Sequence, residues 1–583
     1  MPSLRLLLIV PIFSLIFSCQ SDQSSPPNII LVITDDQGIG DLSIHGNPVI
    51  HTPNIDSMAA RSASLTRFYV SPVCAPTRAS IMTGRYNYRT RVVDTWIGRA
   101  MMDTEEVTVA ELLKDAGYQT GIFGKWHLGD CYPMRPIDQG FDESLVIKGG
   151  GLAQPSEPYA NNRQYTDPIL FQNGEEMQTK GYCTDVYFDA ALNFITQSHQ
   201  KQKPFFAYIP TNAPHGPFHD VPEELKEKYL NMDLGSIMVH PEQANEQNID
   251  NLAAICAMVE NVDQNVGKLF THLDQLGITE NTLVVFMVDN GPNTMRYVMD
   301  LRGMKTNVHE GGIRSPFYGH WPSVLKAGTT SDKIAAHIDL LPTFLSVAGA
   351  VPPSNLRLDG KNLLPLLKGN ESGWHDRTLF IQSHRGDEPR AYYHFAAIGQ
   401  TYKLVHPTGF NGDIIDPDTI PYELYNLEKD PGESLNLADS LPDEVTRTKD
   451  AYLTWFEDVS NTRPDNYAKP EIIIGSSHET VTVLTSQDWE KVSGGGWGEK
   501  GFWKLSCIKV GQFDIEVRLP EAFEGSIAHL SMGNQNLEKG FETNSTILTF
   551  PDVNIEEGSF ELMAEVAQGE GFAQQFQVVI KQK

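Results

Sequence analysis

Apolar runs alternate with amphipathic segments along the first part of the chain. The run NIILVITDD (28–36) is apolar until it ends in two carboxylates. Three further runs end in polar residues in the same way: GYQTGIFGKWH (117–127), PFFAYIPTNAPH (204–215) and NTLVVFMVDN (281–290). A continuous run of Ile, Leu and Val is typical of a strand that is buried on both faces of a parallel sheet.

Segments of helical period lie between these runs, for example at 107–117 and 249–277. The alternation of strand and helix predicts an α/β fold with a large, mainly parallel sheet flanked by helices. In open sheets of this kind the ligand binds beyond the carboxyl ends of the strands. The four runs therefore bring Asp, Lys, His and Asn side chains to one sheet edge.

The pattern changes twice after residue 370, which predicts three folded units. The first is the α/β domain, 28–370. Short strands and then one amphipathic helix predict a small antiparallel-sheet subdomain at 371–465. In FDIEVRL (513–519) the side chains of Phe513, Ile515 and Val517 share one face, and further short strands follow. Residues 466–583 are therefore predicted to form an all-β, β-sandwich-like accessory module.

The N-terminal segment has the features of an export signal. One basic residue, Arg5, precedes an apolar run at 6–17, which is too short to span a bilayer but suits a signal sequence. Ser18-Cys19 resembles the processing site of bacterial lipoproteins. We therefore predict a signal peptide of the lipoprotein type at 1–18, lipidation of Cys19 and a linker at 19–27. These imply export to the periplasm or to the outer membrane and cell surface, with secretion as the alternative.

Composition narrows the possible functions. The 583 residues include 45 Lys and Arg against 74 Asp and Glu, a net charge of −29. This acidic balance argues against a nucleic-acid partner, which needs a basic surface. The six cysteines are sparse for an exported protein. Four of them (Cys131, Cys183, Cys256 and Cys507) show no metal-binding spacing, and either buried thiols or one disulfide fit them.

The most informative segment is SPVCAPTRASIMTGR (71–85). Cys74 stands just before a predicted helix start, and Arg78 follows one turn later. A helix N-terminus offers unpaired N–H groups and the positive end of the helix dipole, which suit an anion or a reactive polar group. Taken alone, a cysteine beside an arginine would suggest a thiolate nucleophile.

Cys-Ala-Pro-Thr-Arg (74–78) with its flanking residues resembles the signature of the formylglycine-dependent (type I) sulfatases of the alkaline-phosphatase-like superfamily. GYQTGIFGKWH resembles a second family signature, with the one departure that Phe123 replaces a smaller residue. Further elements occur in the family's order: Asp35-Asp36, Pro214-His215, Asp289-Asn290-Gly291 and Lys305. The resemblance covers about 28–465 and not the accessory module.

The resemblance implies a sulfuric ester hydrolase whose Cys74 is oxidised to formylglycine (3-oxoalanine). A formylglycine-generating or sulfatase-maturating enzyme would make this change, and the hydrated aldehyde would be the nucleophile. A divalent cation would bind beside it, Ca²⁺ or else Mg²⁺, because the donor set consists of oxygen atoms. The implied metal ligands are Asp35, Asp36, the modified Cys74, Asp289 and Asn290.

The resemblance also implies a role for each remaining polar residue. Arg78 would hold the hydrated aldehyde, and Asp289 would accept a proton from the nucleophile. Lys125 and Lys305 would neutralise charge on the sulfuryl group. His215 would protonate the leaving oxygen, and His127 would remove the proton whose loss expels sulfate.

The substrate expected from export and the extra module is a sulfated polysaccharide or oligosaccharide. In the family, recognition residues lie on variable loops, here 92–103, 130–165, 216–248 and 294–304. Basic and aromatic candidates on them are Trp96, Arg99, Arg135, Arg163, His219, Arg296 and Arg302. Trp489, Trp497 and Trp503 of the module fit either glycan contact or a core. Two alternatives stay open: a formylglycine-dependent phosphodiester or phosphonate monoester hydrolase, and a non-catalytic glycan-binding lipoprotein on a sulfatase scaffold.

Overall fold

The structure is a computed structural model that describes residues 26–411, 416–465 and 467–583. The predicted signal peptide and Cys19 lie outside these residues. Within the described ranges, no helix combines the length and the apolar character needed to cross a bilayer. The five cysteines that the structure describes are all buried free thiols, so of the two interpretations left open, thiols are the one observed.

The α/β domain contains the elements that the alternating pattern predicts. Its strands are β1 (Asn28–Thr34), β2 (Ala63–Leu65), β3 (Phe68–Tyr69), β4 (Gln119–Lys125), β5 (Glu143–Ile147), β6 (Ile169–Gln172), β7 (Glu175–Gln178), β8 (Phe205–Pro210), β9 (Thr282–Val288), β10 (Arg314–Ser315), β11 (Phe317–His320), β12 (Thr330–Ser331) and β13 (Ala335–Ala336). Its helices are α1 (Pro53–Ala60), α2 (Cys74–Thr83), α3 (Val109–Asp115), α4 (Cys183–Gln200), α5 (Glu223–Leu230), α6 (Glu246–Leu276), α7 (Glu310–Ile313), α8 (Leu340–Ala348) and α9 (Leu364–Leu367).

The large sheet has the strand order β12-β2-β11-β9-β1-β8-β4-β5-β6-β7. Its centre, β9-β1-β8-β4-β5, is parallel, whereas β11 joins β9, and β6 joins β5, in antiparallel orientation. The four predicted apolar runs are β1, β4, β8 and β9, all in this parallel centre. Their carboxyl ends therefore meet at one edge.

Helices cover both faces of the sheet, which explains why β1 is apolar without alternation. Ile29, Leu31 and Ile33 pack into a core with α2, α3 and α8. Ile30 and Val32 point the other way, into a core with α1, α4 and α6. Every side chain of the strand is therefore withdrawn from water, as expected for a parallel sheet between two helical layers.

The antiparallel subdomain also has the predicted form. Strands β14 (Leu379–Gln382), β15 (Phe395–Ile398), β16 (Tyr402–His406) and β17 (Glu423–Asn426) make one antiparallel sheet in chain order. Helix α10 (Pro442–Ser460) packs on it through Tyr452 and Trp455. A small 3-stranded sheet, β10-β3-β13, lies between it and the large sheet in the chain's core.

The C-terminal residues fold as two packed sheets of β-strands. The strands are β18 (Ile472–Ile474), β19 (Val481–Leu484), β20 (Glu490–Ser493), β21 (Lys500–Cys507), β22 (Gly511–Arg518), β23 (Ile527–Met532), β24 (Gln535–Gly540), β25 (Ile547–Ile555), β26 (Gly558–Gln568), β27 (Gly571–Phe572) and β28 (Gln577–Gln582). One sheet is built around β21-β26-β23 and the other is β19-β28-β22-β25. Phe513, Ile515 and Val517 face the shared core, as their alternation predicts.

This module shares its core with the α/β domain. Met101, Cys131 and Met134 of the α/β domain belong to the same apolar cluster as Trp489 and Trp503. Both tryptophans are buried, so they are core residues, whereas Trp497 is partly exposed. Backbone hydrogen bonds cross the boundary too: Gly98 N–H donates to Gln487 O at 2.7 Å, and Ile473 N–H donates to Tyr132 O at 3.1 Å.

Candidate active site

The carboxyl edge of the parallel strands carries the polar cluster that the sequence predicts. Asp35 and Asp36 follow β1, and Asp289 and Asn290 follow β9. Lys125 is the last residue of β4, with His127 two residues later, and His215 follows β8. Apart from the partly exposed Lys305 and His215, these residues are buried. The structure brings together the predicted catalytic and metal-ligand residues at this edge, and their chemical roles stay predictions.

Cys74 is the first residue of α2 and is 3% exposed. Its Sγ lies 3.4 Å from Nδ1 of His127. Burial, the largest effect, raises the pKa of the Cys74 thiol above its ordinary value, although Lys125 and Lys305 act in the opposite direction. A raised pKa is the reverse of what an activated thiolate needs. The geometry therefore does not favour Cys74 as a nucleophile in its unmodified form.

Arg78 ties the helix to the sheet edge from one turn further along α2. Its Nη2 donates to Asp289 Oδ2 at 2.8 Å, and its Nη1 donates to the backbone oxygen of Lys125 at 2.9 Å. Both side chains of the Arg78–Asp289 pair are buried. The planar guanidinium thus fixes the ends of β4 and β9 relative to Cys74.

Three carboxylates converge beside Cys74. Ligand oxygens of Asp35, Asp36 and Asp289 lie within 4.8 Å of one another. Asp35 Oδ1, Asp36 Oδ2 and Asn290 Oδ1 are buried and accept no hydrogen bond from the described residues. Buried acceptors without a donor are costly, so this set of oxygens fits a hard divalent cation such as Ca²⁺.

Two lysines compensate part of this negative charge. Lys125 Nζ lies 2.5 Å from Asp35 Oδ2, and Lys305 Nζ lies 2.5 Å from Asp36 Oδ1. Burial alone would raise the pKa of Asp35, but Lys125, His215 and Arg78 together hold it well below its ordinary value. Burial and the adjacent Asp35 charge raise the pKa of Asp289 to about 7.

The two histidines lie near different members of the cluster, His127 near Cys74 and His215 near Asp36. His127 Nε2 lies 2.8 Å from the Thr95 carbonyl oxygen, and burial, followed by Lys125, lowers its pKa well below the ordinary value. His215 Nδ1 lies 2.8 Å from the Gly216 carbonyl oxygen, which leaves Nε2 at 3.7 Å from Asp36 Oδ2. Burial lowers the pKa of His215, and Asp36 opposes this effect.

Several residues at the site were missed by sequence reasoning. Thr95 offers only its carbonyl oxygen, which also receives a hydrogen bond from Gln487 Nε2 of the module at 3.2 Å. A Cβ on Gly150 would lie 2.8 Å from His127 Cε1, and one on Gly151 would lie 3.3 Å from His215 Nδ1. A side chain at Gly150 would therefore displace the His127 ring or the loop, whereas one at Gly151 would only crowd His215. A backbone carbonyl and a close approach leave no residue-type signal in the chain.

The loops predicted to recognise substrate are only partly available for it. Arg296 is buried and pairs with Asp41, and Arg135 is buried and pairs with Asp138 and Glu479. These arginines hold the fold together, because their charges are already matched by carboxylates. Arg163 and Trp96 retain exposed surface.

Comparison with protein-family models identifies both the fold and the class of reaction. The sulfatase model matches residues 27–350, and the model of the C-terminal region of N-sulphoglucosamine sulphohydrolase matches residues 303–452. The chain belongs to the sulfatase family. It is a sulfuric ester hydrolase of the alkaline-phosphatase-like superfamily, as the two sequence signatures predict. Neither model reaches the module after residue 465.

Curated relatives of this sulfatase agree with that assignment. Human arylsulfatase A is 32% identical over 71% of this chain and 83% of its own length. The N-acetylgalactosamine-6-sulfatase of the dog is 34% identical over 62% of this chain and 69% of its own length. The N-acetylglucosamine-6-O-sulfatase of Bacteroides thetaiotaomicron is 26% identical over 74% and 86%, respectively.

Solved structures show the same fold. The crystal structure of Ps i-CgsB in complex with k-i-k-neocarrahexaose superposes with a TM-score of 0.63 at 29% identity, covering 76% of this sulfatase and 95% of that chain. The phosphonate monoester hydrolase of Agrobacterium radiobacter matches with a TM-score of 0.51 at 20% identity, over 76% and 96%. The second likeness concerns the fold alone.

Proposed function

We propose that this sulfatase removes sulfate from sulfated carbohydrates, with formylglycine derived from Cys74 and a bound divalent cation, Ca²⁺ or else Mg²⁺. The observation that carries the proposal is the position of Cys74. It stands at the first turn of α2, with its Sγ 3.4 Å from Nδ1 of His127 and within reach of the charges of Asp35 and Asp289. A maturating enzyme would act before folding, because the folded chain buries Cys74.

The cation would be held by Asp35, Asp36, Asp289 and Asn290. Asp35, Asp36 and Asn290 each have a buried oxygen without a hydrogen-bond donor among the described residues, which fits a bound cation. Bound there, it would polarise a sulfate oxygen and the nucleophilic hydroxyl. Lys125 and Lys305 lie at the same carboxylates and would add positive charge where the sulfuryl group gains negative charge.

Proton transfers divide between the two sides of residue 74. Formylglycine would supply a hydrated aldehyde, which has two geminal hydroxyls. Asp289 would accept a proton on the cation's side, with Arg78 holding its carboxylate in place. On the other side His127 would accept the second proton, and the loss of that proton releases sulfate. Because Nδ1 of His215 donates to a carbonyl oxygen, Nε2 would protonate the leaving alcohol from the imidazolium form, which the negative charge of Asp36 favours.

A carbohydrate is the substrate class that the relatives favour. Curated relatives are named as sulfatases of N-acetylgalactosamine and N-acetylglucosamine, and the crystal structure at 29% identity holds a neocarrahexaose. We therefore expect desulfation of a panel that contains both sulfated amino sugars and neocarra-oligosaccharides, with a higher kcat/KM than on nitrophenyl sulfate. Faster hydrolysis of nitrophenyl sulfate than of every glycan in the panel would contradict this substrate class.

The variant Cys74→Ser tests the nucleophile. Serine has one hydroxyl, so it can attack sulfur but cannot then lose a second hydroxyl proton to release sulfate. We expect one turnover and a sulfate ester on the peptide that contains position 74, detected by mass spectrometry. The control Cys507→Ser changes another buried thiol, in the β module, and should keep full turnover. Continuous turnover by Cys74→Ser would overturn the mechanism.

The same assays separate the alternatives. A phosphonate monoester or phosphodiester hydrolase would show a higher kcat/KM on those esters than on any sulfate ester. A glycan-binding protein without catalysis would bind the panel and release no sulfate, and Cys74→Ala would leave that binding unchanged.

We also propose export as a lipoprotein through Cys19, to the periplasm or the outer membrane. The support is the short apolar segment at 6–17 and the Ser18-Cys19 pair that follows it. The full-length chain should partition with membranes after expression in a Gram-negative host, and Cys19→Ser should move it to the soluble fraction. Equal partitioning of the two proteins would contradict lipidation and favour secretion.

A further inference from the structure

A cavity of about 570 Å³ lies between the loop that follows β5 and the β module. The α/β domain contributes the stretch 152–163 to its wall, and the module contributes the segments 519–523 and 573–575. Its size is within the range of about 300–1,000 Å³ that small-molecule sites occupy. Because the module forms one wall, the cavity exists only in a chain that carries the module.

The loop that lines this cavity also touches both catalytic histidines. Gly150 and Gly151 approach His127 and His215, and Leu152, the next residue, lines the cavity. Consecutive Cα atoms are about 3.8 Å apart, so the cavity starts next to the catalytic centre. Gln154, another lining residue, accepts a hydrogen bond from Gly150 N at 2.7 Å and holds this stretch in shape.

The lining suits a hydroxyl-rich ligand. Gln154, Asn162 and Gln574 present amides that both donate and accept hydrogen bonds, as sugar hydroxyls do. Phe523 lines the same space and is 49% exposed, an aromatic face on which a sugar ring can stack.

The cavity lining contains one cation, Arg163, beside the carboxyl groups of Glu157 and Glu521. Arg163 makes no ion pair or hydrogen bond with any residue that the structure describes, in a protein whose net charge is −29. Asn162 and Arg163 have φ values of 46° and 61°, a left-handed conformation that costs non-glycine residues energy. A free guanidinium on a strained turn is suited to a carboxylate or a second sulfate on the ligand.

The wall contains polar atoms that the protein itself does not use. The Tyr159 hydroxyl and Glu157 Oε2 are buried and have no hydrogen-bond partner among the described residues. Glu157 is fixed through its other oxygen, which accepts from Lys148 N at 3.0 Å and Gly149 N at 3.1 Å. Polar walls, an exposed aromatic ring and an unpaired cation together describe a carbohydrate site rather than an apolar docking face.

We propose that this cavity binds further sugar units of the same carbohydrate chain whose sulfate ester lies at residue 74. The inference rests on the proposed function and adds to it that the β module contributes part of the substrate-binding surface. Longer substrates should consequently be preferred over shorter ones that carry the same sulfate.

The test compares a hexasaccharide with a disaccharide, each carrying the sulfate that the wild-type enzyme removes in the panel described above. Phe523→Ala and Gln574→Ala should each lower kcat/KM about tenfold on the hexasaccharide, mainly through KM. The same variants should keep kcat/KM within about twofold on the disaccharide and on nitrophenyl sulfate. The matched controls are Phe572→Ala and Gln535→Ala, two exposed residues of the module outside the cavity lining, which should change none of the three rates.

The possible failures are distinguishable. Wild-type protein that releases sulfate from no glycan contradicts the proposed function itself. Wild-type protein that desulfates glycans without any gain from disaccharide to hexasaccharide overturns only the role of the cavity. The role of the cavity is also overturned if the cavity variants lose activity equally on all three substrates. It is overturned as well if they lose activity on none of the three.

Discussion

His127 Nε2 lies 2.8 Å from the backbone oxygen of Thr95. A carbonyl oxygen can only accept, so Nε2 carries the proton of the neutral ring, and Nδ1 keeps its lone pair. That lone pair is directed at Cys74 Sγ, 3.4 Å away. Since burial also lowers the pKa of His127, the ring is neutral at pH 7, and its free Nδ1 can accept a proton from residue 74.

The position of His127 Nδ1 beside residue 74 predicts which step of the reaction His127→Ala slows. Removing a general base typically costs about 10²–10⁴ in the step that it serves. We expect this step to be sulfate release, so one equivalent of nitrophenol should appear quickly from nitrophenyl sulfate, followed by turnover slowed by that factor. Stopped-flow absorbance measures both phases. Slow release of the first equivalent would instead assign His127 to the attack step.

The parallel centre of the sheet and its catalytic edge could be predicted from the sequence, for a physical reason. Strands buried on both faces must be apolar throughout, so β1, β4, β8 and β9 appear as unbroken runs with polar residues at their ends. The fold class is confirmed. The short antiparallel strands at one edge of the sheet, β6 and β7, have no comparable signal, because β6 is only partly buried and β7 has no buried residue.

Contacts between distant segments could not be predicted in the same way. Gln487 and Thr95 are 392 residues apart, and their hydrogen bond uses a backbone oxygen whose position depends on the whole fold. The arginines of the predicted recognition loops give a second example of what the sequence does not reveal. An arginine such as Arg296 looks available in the sequence, but it is buried against Asp41 in the structure. Only the fold decides which charges are already matched.

From the hydrogen bond of Gln487 we predict that the module assists catalysis by helping to position His127. Its side chain donates to the Thr95 oxygen at 3.2 Å and is buried. Gln487→Ala removes one hydrogen bond of about 1 kcal/mol from the group that orients His127. We expect kcat on nitrophenyl sulfate to fall about fivefold with KM unchanged, because the substrate itself is not touched.

Gln535→Ala is the control for this measurement. Gln535 lies in the same module, is exposed, and donates to Asn554 O at 2.8 Å, far along the chain from residue 95. It should leave both kinetic constants unchanged. A fall in kcat of the same size in both variants would mean that the module acts only through general stability.

The contacts of His394 predict that the folded protein loses stability in acid. Its Nε2 lies 2.6 Å from Thr306 O, and its Nδ1 accepts from Gly409 N at 3.1 Å, so only the neutral ring satisfies both contacts. Burial lowers its pKa from 6.5 to about 4. A lowered histidine pKa means that stability is complete above pH 6.5 and falls as the pH drops toward 4. A histidine pKa lowered by this amount corresponds to about 3 kcal/mol of folding free energy.

Calorimetric melting temperatures at pH 7 and pH 4.5 test this expectation. His394→Gln should be less stable than wild type at pH 7 but should lose less on acidification. The control is His375→Gln at an exposed position, which should keep the wild-type acid dependence. An acid dependence in His394→Gln equal to that of the wild type would contradict the assignment.

The carboxylate cluster predicts binding of Ca²⁺ that can be measured without catalysis. Asp35, Asp36 and Asp289 hold their ligand oxygens within 4.8 Å of one another, and without a cation their charges repel. A ligand that binds only the folded protein stabilises it, by about 2.7 kcal/mol at one hundred times its Kd. Ca²⁺ should therefore raise the melting temperature of chelator-treated protein, and the same addition should restore sulfatase activity.

Two variants decide whether this effect arises at the cluster. Asp36→Asn should abolish most of the Ca²⁺-dependent rise in melting temperature, because it removes a charged ligand whose oxygen is buried without a partner. Asp552→Asn changes an exposed carboxylate of the β module and should keep the full rise. A Ca²⁺ response that survives Asp36→Asn, or stoichiometric zinc in the purified active enzyme, would place the metal chemistry elsewhere. Because an all-oxygen donor set disfavours zinc, we expect neither result.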